Sequence, residues 1–228
     1  MQVTIIAGGF GTRMKPYIGN HPKSLIPIED NPFISLQLFW TRKADHIHFC
    51  LGYKSKEITS VVQDLCSHKE FSVNIEGSPL GVVGSIKESS NFLQEQFAVL
   101  LGDVIPRVEF EKLIGYAQKY IQSGKSIMFL APSKNIPGQY GNTKMEDEKI
   151  TAYSKEASFK GDFVDIGFWI LQREHVERFG DVLHEEKFFN ALIQRDSLMG
   201  INVGIGSWEV GSIEGLLKIQ EDFSSNLA

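Results

Sequence analysis

Residues 3–28 read VTIIAGGFGTRMKPYIGNHPKSLIPI, and this stretch decides the fold class that we expect. Its first four residues form a short apolar run that ends at a glycine-rich loop, which is typical of a buried strand in a parallel sheet. The loop places three glycines within four residues and then adds the cations Arg13, Lys15 and Lys23. Glycines let backbone N–H groups face a ligand without a Cβ in the way, and clustered N–H groups bind phosphate oxygens. The stretch therefore predicts a strand followed by a triphosphate-binding loop.

Two common phosphate-binding loops are excluded by the same residues. A dinucleotide fingerprint has the spacing G-x-G-x-x-G, but the chain has Met14 where the third glycine belongs. A Walker loop requires a Gly-Lys pair followed by Ser or Thr, which this segment lacks. On these residues alone, a glycine-rich turn with a solvated basic edge remains the alternative.

Strand and helix patterns alternate through the first 131 residues of the chain. Short apolar runs predict strands at residues 3–6, 47–51, 71–75, 97–101 and 126–131. Apolar residues at helical spacing predict helices at residues 31–43, 55–66, 85–93 and 109–122. This alternation indicates a parallel sheet that is covered by helices on both faces.

The pattern changes after Pro132. We expect a hairpin with a charged turn, a further apolar strand, two helices, a short strand and a terminal helix. These lie at residues 138–155, 163–171, 174–179, 185–194, 201–205 and from 213 onward. No internal repeat or linker is visible, so we expect one domain over residues 1–228. The predicted fold class is α/β, with a Rossmann-like, mostly parallel sheet and a mixed C-terminal extension.

Composition places the chain among ordinary soluble proteins. The hydrophobic fraction is 42%, the charged fraction is 22% and the formal net charge is -5. A net negative charge argues against nucleic acid as a partner, and no apolar stretch has the length of a membrane span. Two cysteines and no recognisable secretory signal are consistent with the cytoplasm, where we expect the protein to reside.

Five motifs in one order resemble the signature of the sugar-1-phosphate nucleotidyltransferases. They are AGGFGTRMKP with PKSLIPI at 7–28, SPLGVVGSI at 78–86, LLGDV at 100–104, FVDIGFWIL at 163–171 and WEVGS at 208–212. The resemblance covers almost the whole chain and implies the GT-A-like nucleotidyltransferase fold. It also implies the reaction: a sugar 1-phosphate attacks the α-phosphorus of a nucleoside triphosphate, and pyrophosphate leaves.

The resemblance assigns roles to residues of the first half of the chain. It implies that Arg13 and Lys23 hold the triphosphate and that Asp103 is the third catalytic residue. The nucleotide-binding positions that it implies are Ala7, Gly8, Gly9, Gly11, Thr12, Gly81 and Gly102. Val82 and Val83 stand where the family usually has Thr-Ala, which leaves base contacts there in doubt.

A magnesium site is implied by two carboxylates. Asp103 matches the metal-binding aspartate of the family, and Glu209 occupies the second metal position, which is normally aspartate. Mg²⁺ prefers carboxylate and phosphate oxygens. Because glutamate is one methylene longer, it either accommodates the ion or weakens the second contact.

The sugar-binding segment departs from the family pattern. Lys155 precedes Glu156, whereas the family usually has Glu before Lys, so either a β-bulge restores Lys155 to the site or the sugar phosphate is held differently. Asp165 stands where the family has Asn, and Gly167 matches the family glycine. Asp165 either accepts hydrogen bonds from sugar hydroxyls or is satisfied by nearby basic residues.

The segments NPFISLQLFW at 31–40 and HFCLGYKSKEI at 48–58 are most similar to the short heptose-1-phosphate guanylyltransferases. They imply GTP and a D-glycero-D-manno-heptose 1-phosphate as substrates, with the product used for surface polysaccharide. The sequence leaves open whether the protein forms a homo-oligomer. The alternatives are a mannose-1-phosphate guanylyltransferase and a short uridylyl- or cytidylyltransferase. Two further classes are a nucleotide-sugar-binding regulator without catalysis and a metal-dependent glycosyltransferase, although the latter lacks an Asp-x-Asp motif near Asp103.

Overall fold

The computed structural model describes residues 1–66, 70–136, 140–179 and 184–224. The strands are β1 (Gln2–Ala7), β2 (Pro27–Ile28), β3 (Asn31–Pro32), β4 (His46–Leu51), β5 (Phe71–Ile75), β6 (Gln96–Leu101), β7 (Val104–Pro106), β8 (Ser126–Pro132), β9 (Thr143–Glu146), β10 (Lys149–Tyr153), β11 (Phe163–Gln172), β12 (Leu198–Asn202) and β13 (Ser207–Glu209). The helices are α1 (Lys15–Ile18), α2 (Phe33–Trp40), α3 (Ser55–Leu65), α4 (Gly81–Glu88), α5 (Phe110–Ile121), α6 (Arg173–Phe179), α7 (Glu185–Ile193) and α8 (Ile213–Ser224).

Nine of these strands form one twisted sheet in the order β5-β4-β1-β6-β11-β8-β12-β10-β9. Strands β5, β4, β1 and β6 are parallel, whereas β11 runs antiparallel to both β6 and β8. Strand β12 is again parallel to β8, and β10 is antiparallel to β12 and β9. The predicted parallel first half and mixed extension are therefore confirmed, and both halves contribute to one sheet.

Helices cover both faces of the sheet. On one face, α2, α3, α5 and α8 pack into a large apolar cluster, and α4, α6 and α7 pack into a second cluster on the other face. In α5 the buried residues Phe110, Leu113, Ala117 and Tyr120 recur every three or four positions, so that a single stripe faces the sheet. The helices on both faces follow from such stripes.

The bounds of three predicted helices and strands differ from the structure by two residues or more. The helix predicted at 31–43 is α2, Phe33–Trp40, and residues 31 and 32 form β3 instead. The helix predicted at 85–93 is α4, which begins at Gly81 and ends at Glu88. Its end tightens because the Ser89 N–H reaches the carbonyls of both Ser85 and Ile86, and a 3₁₀ turn follows.

The strand predicted at 201–205 is β12, which ends at Asn202. The side-chain carbonyl of Asn202 accepts a hydrogen bond from the Gly204 N–H at 2.9 Å, which turns the chain away from the sheet.

The predicted hairpin at 138–155 corresponds to β9 and β10, although residues 138 and 139 lie outside the described part of the chain.

The strand directions determine where a ligand can bind. The loops after β1, β4, β5 and β6 all leave the same edge of the sheet, because these strands are parallel. Strand β11 runs the opposite way, so its first residues reach that edge as well; Phe168 lies opposite Leu100 near the end of β6. Among the described residues, no helix is both long enough and apolar enough to cross a bilayer.

Candidate active site

A cleft of about 450 Å³ lies at this edge of the sheet. Of the fourteen residues that the sequence analysis selected, the cleft is lined by Ala7, Gly8, Gly9, Arg13, Lys23, Gly81, Gly102, Asp103, Lys155, Asp165, Gly167 and Glu209. Residues from five distant parts of the chain are thereby brought together. The placement is the one required by a site for two anionic substrates, and the individual roles stay predictions.

Gly11 and Thr12 belong to the phosphate-binding loop but do not line the cleft. A Cβ on Gly11 would lie 3.0 Å from Cγ of Lys23, so the absence of a side chain lets the lysine stem pack against the loop. Thr12 and Lys15 are exposed to solvent. Gly11 therefore supports Lys23 in this structure, and its contact with a nucleotide stays a prediction.

Lys23 and Asp103 form an ion pair inside the cleft. The ammonium nitrogen lies 2.9 Å from Oδ2 of Asp103, and both side chains are mostly buried. Lys23 opens a 3₁₀ turn after α1, and Asp103 follows β6 in the short connection to β7. Gly102 allows this connection, because a Cβ there would lie 2.4 Å from the carbonyl oxygen of Ile6.

Glu209 is held next to Asp103 by strand pairing. In the small sheet formed by β13 and β7, Glu209 lies opposite Val104, and the Val210 N–H donates to the Asp103 carbonyl at 2.9 Å. Oε1 of Glu209 accepts a hydrogen bond from the Ser212 hydroxyl at 2.7 Å. The two carboxylates implied as metal ligands therefore line the same cleft.

The donor set of these two residues fits a magnesium ion. Carboxylate oxygens are hard ligands that Mg²⁺ takes together with phosphate oxygens and water. Within the described part of the chain, Oδ1 of Asp103 and Oε2 of Glu209 have no hydrogen-bond partner, so that each carboxylate keeps one oxygen available. Asp103 and Glu209 would hold the ion, and their role as its ligands stays a prediction.

Asp165 is fixed by its own strand. Its carboxylate accepts hydrogen bonds from the Gly167 N–H at 2.9 Å and from the Trp169 indole N–H at 2.8 Å. Burial and the neighbouring charge of Glu185 raise the pKa of Asp165 to about 7, although these hydrogen bonds act in the opposite direction. The donors are thus a backbone N–H and an indole rather than basic side chains, and a contact with sugar hydroxyls stays a prediction.

Lys155 lies just after β10 and reaches the cleft, whereas Glu156 is exposed. The pairing of β10 with β9 shifts register between Ile150 and Ala152, so the strand is irregular immediately before this segment. The Lys155 ammonium pairs with the carboxylate of Glu185 at the start of α7. The reversed Lys-Glu order therefore leaves the lysine in the cleft with an acidic partner from a distant helix.

The opposite end of the cleft holds Glu76, which follows β5. A Cβ on Gly8 would lie 2.3 Å from Oε1 of Glu76, so glycine is required there for the carboxylate to approach the loop. Oε2 of Glu76 accepts a hydrogen bond from the Ser85 hydroxyl at 2.7 Å. Gly81, which the family resemblance places against the nucleobase, also lines the cleft, and this makes Glu76 a candidate for nucleobase contact.

A family model described as Nucleotidyl transferase matches residues 2–226. The chain belongs to this family. The family assignment confirms the resemblance seen in the sequence motifs, and the protein is a nucleotidyltransferase.

Two relatives indicate where this nucleotidyltransferase lies within the family. The D-glycero-α-D-manno-heptose 1-phosphate guanylyltransferase of Campylobacter jejuni is 28% identical over 200 residues, which are 86% of this chain and 86% of that protein. The putative mannose-1-phosphate guanyltransferase of Sulfolobus acidocaldarius is 24% identical over 209 residues, which are 90% of this chain and 57% of that protein.

Solved structures confirm the fold class of the nucleotidyltransferase. HddC from Yersinia pseudotuberculosis complexed with GMP-PN has a TM-score of 0.78 at 22% identity, over 97% of this chain and 99% of that chain. A putative glucose-1-phosphate thymidylyltransferase from Bacillus anthracis has a TM-score of 0.82 at 17% identity, over 97% of this chain and 94% of that chain.

The sequence analysis did not predict some residues of the nucleotidyltransferase cleft. They include Glu76, Asn142, Tyr153 and Glu185. Glu76 carried a usable signal, because it directly follows an apolar strand of the parallel half, where ligand-binding residues collect. Glu185 carried none, because it is the first residue of an amphipathic helix and reaches the cleft only through the packing of that helix.

The raised pKa of Asp165 predicts a pH-dependent stability. Between its ordinary value near 3.8 and about 7, the folded nucleotidyltransferase keeps a proton that the unfolded chain releases. The contribution of Asp165 is therefore fully present below the ordinary value and is lost as the pH rises through 7. Relative to wild type, the unfolding free energy of Asp165→Asn should increase as the pH rises from about 4 to about 7 and should then stay level, as measured in denaturant titrations.

The matched control is Asp196→Asn. Lys125 and Lys149 lower the pKa of Asp196, so this variant should lose stability relative to wild type as the pH rises through the acidic range. A difference between Asp165→Asn and wild type that does not change with pH would contradict the proposed protonation of Asp165.

Proposed function

We propose that the protein transfers GMP from GTP to a D-glycero-D-manno-heptose 1-phosphate, giving a GDP-heptose and pyrophosphate. A non-bridging oxygen of the sugar phosphate forms a bond to the α-phosphorus of GTP, and the bond from that phosphorus to the bridging oxygen of pyrophosphate breaks. The observation that carries the proposal is the meeting of the cationic loop, the Asp103–Glu209 pair and Lys155 in one cleft. The relative from C. jejuni supports the choice of substrates.

The charges of the cleft suit a reaction between two anions. Transfer of a nucleotidyl group depends mainly on positioning the reactants and neutralising their charge. Arg13 offers a planar fork for phosphate oxygens, and Lys23 supplies a point charge beside Asp103. Backbone N–H groups of the loop at residues 8–11 add neutral donors for the triphosphate.

Asp103 and Glu209 would hold Mg²⁺ against the phosphates. When bound, the ion would neutralise charge on the α-phosphate and the leaving pyrophosphate. Oδ2 of Asp103 also lies 2.9 Å from the ammonium nitrogen of Lys23. One carboxylate would therefore both bind the ion and orient the lysine.

Glu76 supports guanine as the base. Guanine presents N1–H and N2–H₂ as two neighbouring donors, and an ionised carboxylate is an acceptor on both oxygens. The contact with the Ser85 hydroxyl fixes the Glu76 carboxylate beside Gly8 and Gly81. Adenine, uracil and cytosine have no two neighbouring donors on this edge, so each would set an acceptor against one carboxylate oxygen.

The far end of the cleft would receive the sugar 1-phosphate. Lys155 supplies a cation for its phosphate, and Asp165 and Gly167 line the adjoining wall. We assign the reaction to the cytoplasm and its product to surface polysaccharide synthesis.

A mannose-1-phosphate guanylyltransferase is the second candidate. The relative from S. acidocaldarius favours it, since the alignment includes 90% of this chain. Both candidates share the nucleotide, so they differ only at the Lys155 end of the cleft.

The test is a thermal-shift screen of the four ribonucleoside triphosphates with Mg²⁺, followed by pyrophosphate release with a panel of sugar 1-phosphates. A ligand that binds only the folded state raises the Tm, by about 5 to 11 °C at a hundredfold excess over its Kd for a chain of this size. We expect GTP to give the largest shift and a heptose 1-phosphate to give the fastest release. No shift with any of the four would count against an active enzyme, and faster release with mannose 1-phosphate would favour the second candidate.

A further inference from the structure

The first turn of α7 forms a clamp on the segment that carries Lys155. Oε1 of Glu185 accepts the Tyr153 hydroxyl at 3.0 Å and pairs with the Lys155 ammonium. Glu186 accepts the Ser154 hydroxyl at 2.9 Å and the Lys155 N–H at 3.2 Å. Asn190, one turn further along, donates to the Tyr153 carbonyl at 2.9 Å. One helix thus holds the side chains and the backbone of this segment.

Burial distinguishes the two partners of the ion pair. The side chain of Glu185 is only 9% exposed, whereas that of Lys155 is 50% exposed. A carboxylate in such a position requires partners, and the buried Tyr153 hydroxyl supplies one that does not move with the substrate. Glu185 is therefore the buried member of the pair, and Lys155 is the half-exposed one.

The sequence of the segment offers Lys155 no acidic partner of its own inside the cleft. A lysine ammonium on a four-carbon stem loses much conformational freedom when it is fixed. Glu156, the adjacent acid in the chain, is exposed and does not line the cleft. Glu185 also lines the cleft together with Asp165, and its charge contributes to the raised pKa of that carboxyl.

We propose that Glu185 is a positioning residue, which holds the ammonium of Lys155 in the cleft where it meets the phosphate of the sugar 1-phosphate. The inference rests on the proposed function, because it assigns a target to Lys155. Glu185 acts through Lys155 and makes no contact of its own with the reacting atoms.

The first test is Glu185→Gln, which keeps an acceptor for Tyr153 and removes the charge that holds Lys155. We expect the KM for the sugar 1-phosphate to rise by about tenfold, a size typical of direct coupling between neighbouring residues. The KM for GTP should not change. Glu148→Gln is the matched control, since it removes the Lys119–Glu148 ion pair outside the cleft. An unchanged KM for the sugar 1-phosphate in a folded Glu185→Gln protein would overturn the proposal.

A double-mutant cycle with Lys155→Met separates positioning from direct binding. If Glu185 acts through Lys155, adding Glu185→Gln to Lys155→Met should cause no further rise in KM. Additive effects would show that Glu185 binds the sugar itself, and they would refute the positioning role. If Glu185→Gln fails to fold, Tyr153→Phe replaces it, since it keeps the packing and removes the hydroxyl that donates to Glu185. Tyr153→Phe should raise the KM for the sugar 1-phosphate by a smaller factor. An unchanged KM in Tyr153→Phe would also overturn the proposal.

Calorimetric binding of the sugar 1-phosphate to the wild type and to Glu185→Gln distinguishes this inference from the proposed function, because it does not require turnover. Weaker binding by the variant without turnover by the wild type would refute the proposed function and support the role of Glu185. Turnover by the wild type with equal binding by both proteins would refute only the role of Glu185.

Discussion

Replacing Asp103 by asparagine should lower kcat by about a thousandfold, the size expected when a preorganised charge at a reacting phosphate is removed. The substitution removes a carboxylate that would hold Mg²⁺ and that also orients the Lys23 ammonium at 2.9 Å. Because the two side chains are mostly buried, loss of the ion pair should cost about 1 to 3 kcal/mol of unfolding free energy, between the values for surface and buried pairs. Steady-state pyrophosphate release and thermal unfolding would measure the two effects separately.

Asp196→Asn is the control for this experiment. Asp196 also pairs with lysines, Lys125 and Lys149, but it is exposed and lies outside the cleft. It should leave kcat unchanged. If Asp103→Asn kept the kcat of the wild type, Asp103 would be removed from the metal site and from the catalytic residues.

Glu76→Gln should reduce kcat/KM for GTP by about a hundredfold, since a hydrogen-bonding site whose donors and acceptors no longer match its ligand loses selectivity steeply. The amide keeps the size of the side chain but replaces one acceptor with a donor. An amide matches bases that present one acceptor and one donor, so the preference for GTP over ATP and UTP should narrow as well. Competition between triphosphates in a single reaction gives this ratio directly.

The control is Glu88→Gln at the end of α4. Glu88 accepts a hydrogen bond from Asn74 at 2.9 Å and does not line the cleft. It should keep the wild-type selectivity. An unaltered ratio of GTP to the other triphosphates in Glu76→Gln would place the base elsewhere in the cleft.

Much of the fold was predictable because its determinants are local. The apolar runs at β1, β4 and β6 and the stripes of α3 and α5 are properties of short segments, and the structure confirms the parallel half that they predicted. Element ends were less accurate. The end of β12 depends on the side chain of Asn202, a single hydrogen bond that periodicity does not report.

The residues of the site also divide into those that the sequence predicted and those that depend on the packing of distant elements. Glycines and cations after β1, and an aspartate after β6, were visible because the carboxyl ends of parallel strands meet at one edge. The antiparallel direction of β11 was not predictable from its apolar pattern, yet it is what brings Asp165 and Gly167 to that edge.

The sequence by itself determined the residue types of the glycine-rich loop, the two carboxylates that we propose as metal ligands, and their order along the chain. Only the tertiary structure decided the partners, because Glu185 pairs with Lys155, and the Val210 N–H beside Glu209 donates to the Asp103 carbonyl, across long separations in the chain. Such contacts depend on how whole helices and strands pack, and no short segment encodes that packing.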